Sequence, residues 1–360
     1  MTKYVQSLLL ALFISSFASL QTTRAEQLSF SDWQSTTPFD GSRTSHAAAL
    51  VNNRLYVLGG LFASGDTFSL YNDVQTAIIG NDGTISPWQK TASFPEPRSG
   101  LGVAVHKGFI YIVGGFSKQG TLADVQYANL QPDGMVGSWN ASPNRLNTPR
   151  SNLALEVFVT KSGENYLAAI AGVGEVGKDT VHFDGIEVAQ IRGDGSIGQW
   201  KTCPFHLKGG RSAPASFVLN GFLYVVGGWG DLIIEDVFND IQYAPIRDDG
   251  CLDPWLTNET RLNLPLYGHT STLTLVAGSP SIVVLGGNAG QGNYFNNVQF
   301  ASVGAGGALG RFRFDKHQFR TPRWGHATVR YNDFVYVLGG AQRGNEGYLN
   351  DVQFTVVGRQ

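Results

Sequence analysis

An all-β fold, a six-bladed propeller of four-stranded antiparallel blades, is predicted by three observations in the 360-residue chain. The first is a recurring spacing. Val74, Val125, Ile186, Ile241 and Val298 each stand fourteen residues before an aromatic residue, namely Trp88, Trp139, Trp200, Trp255 and Phe312. The second is an apolar run that closes on two glycines, as in RLYVLGG ending at Gly60. It returns at Gly115, Gly228, Gly287 and Gly340, with YLAAIAG at Gly172 as a variant. The third lies at the chain ends. NDVQF at Asn350 to Phe354 has no aromatic partner downstream, while LSFSDWQ carries Trp33 with no partner upstream. Trp33 and Trp88 are 55 residues apart, one full repeat, so the N-terminal strand is expected to complete the last blade. A lone four-stranded sheet cannot bury both faces, but six around an axis can, and a shared last blade leaves no open edge.

Composition agrees. Gly 45, aromatic residues 12% and charged residues 15% suit an all-β chain with many tight turns. Lys+Arg 26 against Asp+Glu 28, with no basic run, exclude the electrostatic footprint of a nucleic-acid binder.

Along the chain, Lys3, the apolar stretch from Val5 to Leu20 and the small residues before Ala25 read as a secretory signal peptide over residues 1–25. Residues 26–360 are then a single propeller with no membrane span, expected to be exported to the periplasm or beyond and to be monomeric. Each repeat opens on an arginine: Arg43, Arg98, Arg150, Arg211 and Arg323, with Leu266 in the fifth. Strand a follows, then a tight turn (Asn52, Lys107, Asn220, Asn332) whose residues tolerate positive φ. Strand b is the run before Gly-Gly. Strand c begins at the Val or Ile marker, and an Asp-Gly turn (Asp82, Asp133, Asp194, Asp249) leads to strand d with its Trp. The constant spacing is therefore one c–d hairpin, where an inserted residue would flip the Trp to the wrong face. Cys203 and Cys251, read at opposite ends of neighbouring strands, are expected to be unpaired thiols despite export.

The Gly-Gly pairs, the arginines before strand a and the strand-d tryptophans together resemble the kelch-repeat family of the galactose oxidase and kelch superfamily, over nearly all of the mature chain. The chain looks like a bacterial member. It departs from the family pattern in that Tyr127 and Tyr243 lie twelve residues before their tryptophans, not about six. The resemblance implies an interaction platform, with enzymes as a minority.

The tight a–b and c–d turns put one face of the disc in short loops. The other face carries the arginines and the long b–c loops. A ring formed by Arg43, Arg98, Arg150, Arg211 and Arg323 at the channel mouth suits carboxylates, phosphates or an acidic peptide. Alternatively, each pairs with a strand-opening Asp such as Asp73, Asp124, Asp240 or Asp351. Trp229, directly after Gly-Gly, is the foremost single aromatic candidate. Phe62, Phe68, Tyr71, Phe116, His182, Phe238, Tyr294, Phe295 and Tyr348 either cap their own blades or join it in recognition. His46, His269 and His326 are expected between blades and not on a metal. No zinc, phosphate-loop or GxSxG motif occurs, and no metal or cofactor is expected. Asn140 and Asn258 match glycosylation sequons.

Two functions follow as expectations. One is a protein- or glycan-binding module using the loop-rich face. The other is a sugar epimerase acting on an anionic sugar such as sialic acid. For the second no catalytic residue is singled out among Glu175, Asp231, Glu235 and Asp236.

Overall fold

A computed structural model describes residues 28–65, 67–230, 236–276, 279–342 and 347–359. The signal-peptide residues and the candidates Asp231 and Glu235 lie outside the described residues. Six sheets surround one axis, each in the order d-c-b-a from rim to centre. Strands a are Ala47–Val51, Gly102–His106, Ala154–Val159, Ala215–Leu219, Thr270–Val276 and Ala327–Tyr331. Each touches the strand a of the next blade, and the sixth touches the first. Hydrophobic residues gather into six clusters, each shared by two consecutive blades, so the core lies between the sheets.

Closure is as the repeat demands. Leu28–Phe30 and Gln34–Thr36 both pair antiparallel with Tyr348–Arg359, with Leu28 opposite Arg359 and Gln34 opposite Phe354. The outer strand of blade 6 therefore comes from the beginning of the chain. Turn residues behave as expected: Asn52, Lys107, Asn220 and Asn332 hold φ between 44° and 54°. At the Asp-Gly turns, Asp82, Asp133, Asp194 and Asp249 each accept the N–H two residues on. The aromatic residue of the repeat stands just before strand d in most blades and lies within it only at Trp139, in Val136–Ala141.

Two belts of backbone hydrogen bonds join the blades. In the first, the second glycine of each pair donates to the carbonyl of the next blade's arginine-slot residue, as Gly60 does to Arg98 and Gly340 to Arg43, at 2.8–2.9 Å all round. A side chain at Gly60 would bring its Cβ to 2.8 Å from the His46 Cβ, at φ +108°. Only glycine meets both conditions. The second belt is a closed ring around the axis. Ser45 donates to Gly325, Gly325 to Gly268, Gly268 to Ala213, Ala213 to Asn152, Asn152 to Gly100 and Gly100 to Ser45, at 2.7–3.0 Å. All six hold φ between 47° and 59°.

The cysteines overturn the expectation of free thiols. Cys203 and Cys251 form a disulfide with Cα atoms 5.4 Å apart, buried between blades 3 and 4. A reading of strand order alone misses how the Asp-Gly turn of one blade leans across the blade before it. Tyr111 in blade 2 donates to the Gly195 carbonyl of blade 3, and Tyr336 in blade 6 to the Gly83 carbonyl of blade 1. The same lean sets Lys201 on Asp249 at 2.9 Å and Cys251 over Cys203. C203A/C251A is expected to lower stability by about 2–4 kcal/mol, since the closed loop restricts the unfolded chain. The denaturation midpoint of the double variant, against the reduced and oxidised wild type, measures it.

Candidate functional site

The five arginines all have partners. Arg43 pairs with Asp73 at 2.6 Å, Arg98 with Asp124 at 2.6 Å, Arg150 with Glu187 at 2.6 Å, Arg211 with Asp240 at 2.8 Å and Arg323 with Asp351 at 2.7 Å. Their side chains are at most 3% exposed. Each guanidinium also donates to the carbonyl of the first residue of its own Gly-Gly pair, or to Ala171 in blade 3. An aromatic face covers several of them, with the Arg43 Cζ 3.8 Å from the Tyr71 ring centre and the Arg211 Cζ 4.1 Å from that of Phe238. Tyr71 and Phe238 thus cap their own blades. Burial would raise the Asp124 carboxyl, but the Arg98 hydrogen bond and charge outweigh it and hold it below the usual range.

One arginine takes an unforeseen partner. Blade 3 has Gly185 where blades 1, 2, 4 and 6 carry Asp, and Glu187 where the other five carry Gln. The longer acid reaches Arg150 from two positions along and also accepts the N–H groups of Asn147 and Thr148. Blade 5 lacks both charges, with Leu266 in the arginine slot and Asn297 in the acid slot.

His46, His269 and His326 are buried between blades. Each points its Cε1 at the first glycine of the preceding blade's pair, where an added Cβ on Gly339, Gly227 or Gly286 would lie 2.8–3.0 Å away. Leu101 and Leu153 take the same slot in blades 2 and 3. Among the described residues no group of three or more His, Cys, Asp or Glu is placed to hold a metal. Glu175, in the hairpin strand Val173–Val176, and Asp236, just before strand c of blade 4, are exposed. Asn140 is exposed, whereas Asn258 is buried with its amide bonded to Gly307 and Thr260.

At the loop-rich end the hydrogen-bonded ring leaves only a cup of about 140 Å³, lined by Ser45, Asn152, Trp324 and the three histidines among others. Around it the sixfold repeat breaks. The residue after the arginine slot is Thr44, Ser99, Ser151 and Ser212 in blades 1–4, but Tyr267 and Trp324 in blades 5 and 6. Trp229 stacks on Tyr267 with ring centres 5.5 Å apart, Tyr267 meets Trp324 at 6.0 Å, and His182 meets Trp229 at 5.3 Å. A half-buried aromatic arc therefore crosses blades 3 to 6. Tyr267 and Trp324 escape a reading directed at the b–c loops. Their signal was in the repeat itself, as two bulky residues in a column of Ser and Thr. Beyond the arc, Phe68, Phe116 and Val176 are exposed on the b–c hairpins of blades 1–3.

The opposite end, with its short turns, opens into a wider channel of about 740 Å³ walled by strands a. Glu156 and Arg330 are its charged lining residues, and Glu156 accepts a 2.6 Å hydrogen bond from the Ser216 hydroxyl.

No protein-family model matches the chain. It is similar to Kelch-like protein 9 of Mus musculus, 34% identical over 95 residues, which is 26% of this chain and 15% of the relative. It is similar to Beta-scruin of Limulus polyphemus, 26% identical over 96 residues, 27% of this chain and 10% of the relative. A longer match, 25% identical over 232 residues, joins 59% of this chain to 33% of Kelch repeat and BTB domain-containing protein 12 of Danio rerio. The matched segments thus span a minor part of these curated relatives. The likenesses and the six blades together support a kelch-type propeller.

Proposed function

We propose that the protein is an exported binding module that engages a protein partner through its loop-rich face, centred on the arc Trp229–Tyr267–Trp324. The observation that carries this reading is the break in the repeat. Five blades use the arginine slot for the same ion-paired joint, yet two blades exchange a small hydroxyl for a large ring at the mouth. The Tyr267 hydroxyl accepts a 2.8 Å hydrogen bond from the Asn288 amide, but the joint itself requires neither ring, since Ser and Thr serve four blades. Clustered aromatic rings beside polar groups are what centres of protein interfaces use, and the exposed Phe68, Phe116 and Val176 extend the apolar surface outward. The arginines brace this face from within, holding Gly-Gly and the strand openings in register.

Export is supported by the leader-like first 25 residues and by the Cys203–Cys251 disulfide, a bond that persists in oxidising compartments. Among the described residues, no helix is long and apolar enough to cross a membrane.

The test is a peptide-display selection on the full chain, scored against Trp324→Ala and Trp229→Ala. Selected peptides are expected to lose about 2 kcal/mol or more of binding, roughly thirtyfold, on truncation of either ring. Peptides that bind both variants as they bind the wild type would remove the arc from the interface. Saturable binding of neutral oligosaccharides, with no selected peptide, would reassign the face to glycans.

A further inference from the structure

The channel at the turn side holds two side chains that the repeat does not explain. Counting from the arginine slot, the seventh residue onward is Leu50, Val105, Val157, Val218 and Leu273 in blades 1–5, and Arg330 in blade 6. The sixth residue onward is Ala49, Ala104, Phe217, Thr272 and Val329, with Glu156 standing in blade 3. The fifth turns from apolar to hydroxylic on one side only: Ala48, Val103 and Leu155, then Ser216, Ser271 and Thr328. The inner cylinder is apolar by default. One sector, from blade 3 through blade 6, has been made polar and given an acid and a base.

Neither ionisable group has a charged partner among the described residues. The Arg330 Nη1 donates to the Leu273 carbonyl at 3.0 Å, while its Nε is buried without a partner. Asp333 acts on it only through space, and Glu156 is held only by the Ser216 hydroxyl. The five arginines of the loop side each have a bound carboxylate. An unpaired guanidinium and an unpaired carboxyl in one cavity are costly to fold around, unless something else completes their bonds.

We propose that this channel is a small-molecule site for an organic anion that carries one carboxylate and several hydroxyl or amino donors, with the carboxylate on Arg330 and a donor on Glu156 and Ser216. The 740 Å³ volume admits a ligand of roughly ten to fifteen heavy atoms with water around it. Blades 3 and 6 lie across the axis from each other, so the two anchors grip opposite ends of one molecule. Ser271, Thr272, Thr328 and Asn332 supply further polar contacts along the wall. Burial raises the Glu156 carboxyl to about 7, with the Ser216 bond opposing. Arg330 is the other charged group lining the cavity. At neutral pH Glu156 is part protonated, and a ligand donor that favours its ionised form drives a proton off.

Titration calorimetry of the full chain with D-gluconate tests this, with sorbitol lacking the carboxylate and hexanoate lacking the hydroxyls. Gluconate is expected to bind at least about tenfold tighter than either. Arg330→Gln should weaken gluconate about tenfold or more while leaving sorbitol unchanged. Binding measured in buffers of different ionisation enthalpy should show proton release near pH 7, and Glu156→Gln should abolish it. Thr272→Tyr, which fills the cavity from another blade, should block gluconate even if Arg330→Gln misfolds. Gluconate bound equally by wild type and a folded Arg330→Gln overturns the proposal. So does sorbitol binding as tightly as gluconate, or no saturable gluconate binding. Trp324→Ala, on the far side of the hydrogen-bonded ring, should leave gluconate binding unchanged, which separates this site from the loop-rich face.

Discussion

Arg150→Ala is expected to destabilise the fold by about 3–5 kcal/mol, because it strands the Glu187 carboxylate in the interior without its counter-charge. Glu187 is 1% exposed, the most buried acid of the five pairs. The other arginines should cost less in the order of their partners' exposure: Asp240 at 11%, Asp73 at 20%, Asp124 at 24% and Asp351 at 36%. Water shields a partly exposed carboxylate, so Arg323→Ala should fall nearest to about 1 kcal/mol. Urea denaturation of the five alanine variants gives the ranking directly. Blade 5 supplies the rescue, for it has lost acid and base together as Leu266 and Asn297. Arg211→Leu alone should be strongly destabilising. Arg211→Leu with Asp240→Asn should recover most of that loss, since no unpaired charge remains. A double variant no better than the single would mean that the guanidinium bonds to Gly227 and Lys208 carry the joint and the ion pair does not.

Much of this was legible in the residues. Closure followed from a strand d missing at one end and spare at the other, and the chain is built so. The c–d register followed because an Asp-Gly turn and an inward aromatic leave no slack. The Cys203–Cys251 bond did not follow, because strand order says nothing of how far a turn leans over its neighbour. Tyr267, Trp324, Glu156 and Arg330 were visible only as exceptions within columns of equivalent residues. They become conspicuous once the repeats are laid in register and each blade is judged against the other five. The repeat states what architecture requires, and its breaches mark where something else was required. Trp229 is legible without that comparison because it stands beside a landmark, directly after Gly-Gly.

Acid should loosen the propeller at the joints around blades 5 and 6, and the sign follows from the histidines. Burial, aided by the Arg43 charge, lowers His46 to about 3, and burial lowers His269 to about 4. Burial, Arg323 and the other two histidines push His326 well below its ordinary value. In the unfolded chain all three take up protons near 6.5. The unfolded state therefore binds more protons as pH falls, and stability drops from about pH 6.5 downward. Between pH 7 and pH 5, His46 and His269 together remove about 4 kcal/mol, and His326 acts in the same direction. Glu156 works against them. Its folded value, about 7, lies above the ordinary value of 4.5, so the folded state takes up its proton first and gains up to about 2 kcal/mol over the same interval. The wild type should thus show a shallow loss, and Glu156→Gln a steeper one of about 4 kcal/mol or more. Replacing all three histidines by Leu, the residue already used at Leu101 and Leu153, should reverse the slope. Melting curves of the three proteins from pH 7.5 to about pH 5 decide it. If Glu156→Gln and the wild type lose stability in parallel, the channel carboxyl is ionised in the folded protein. If the histidine variant keeps the wild-type slope, the rings between the blades are not what couples folding to protons.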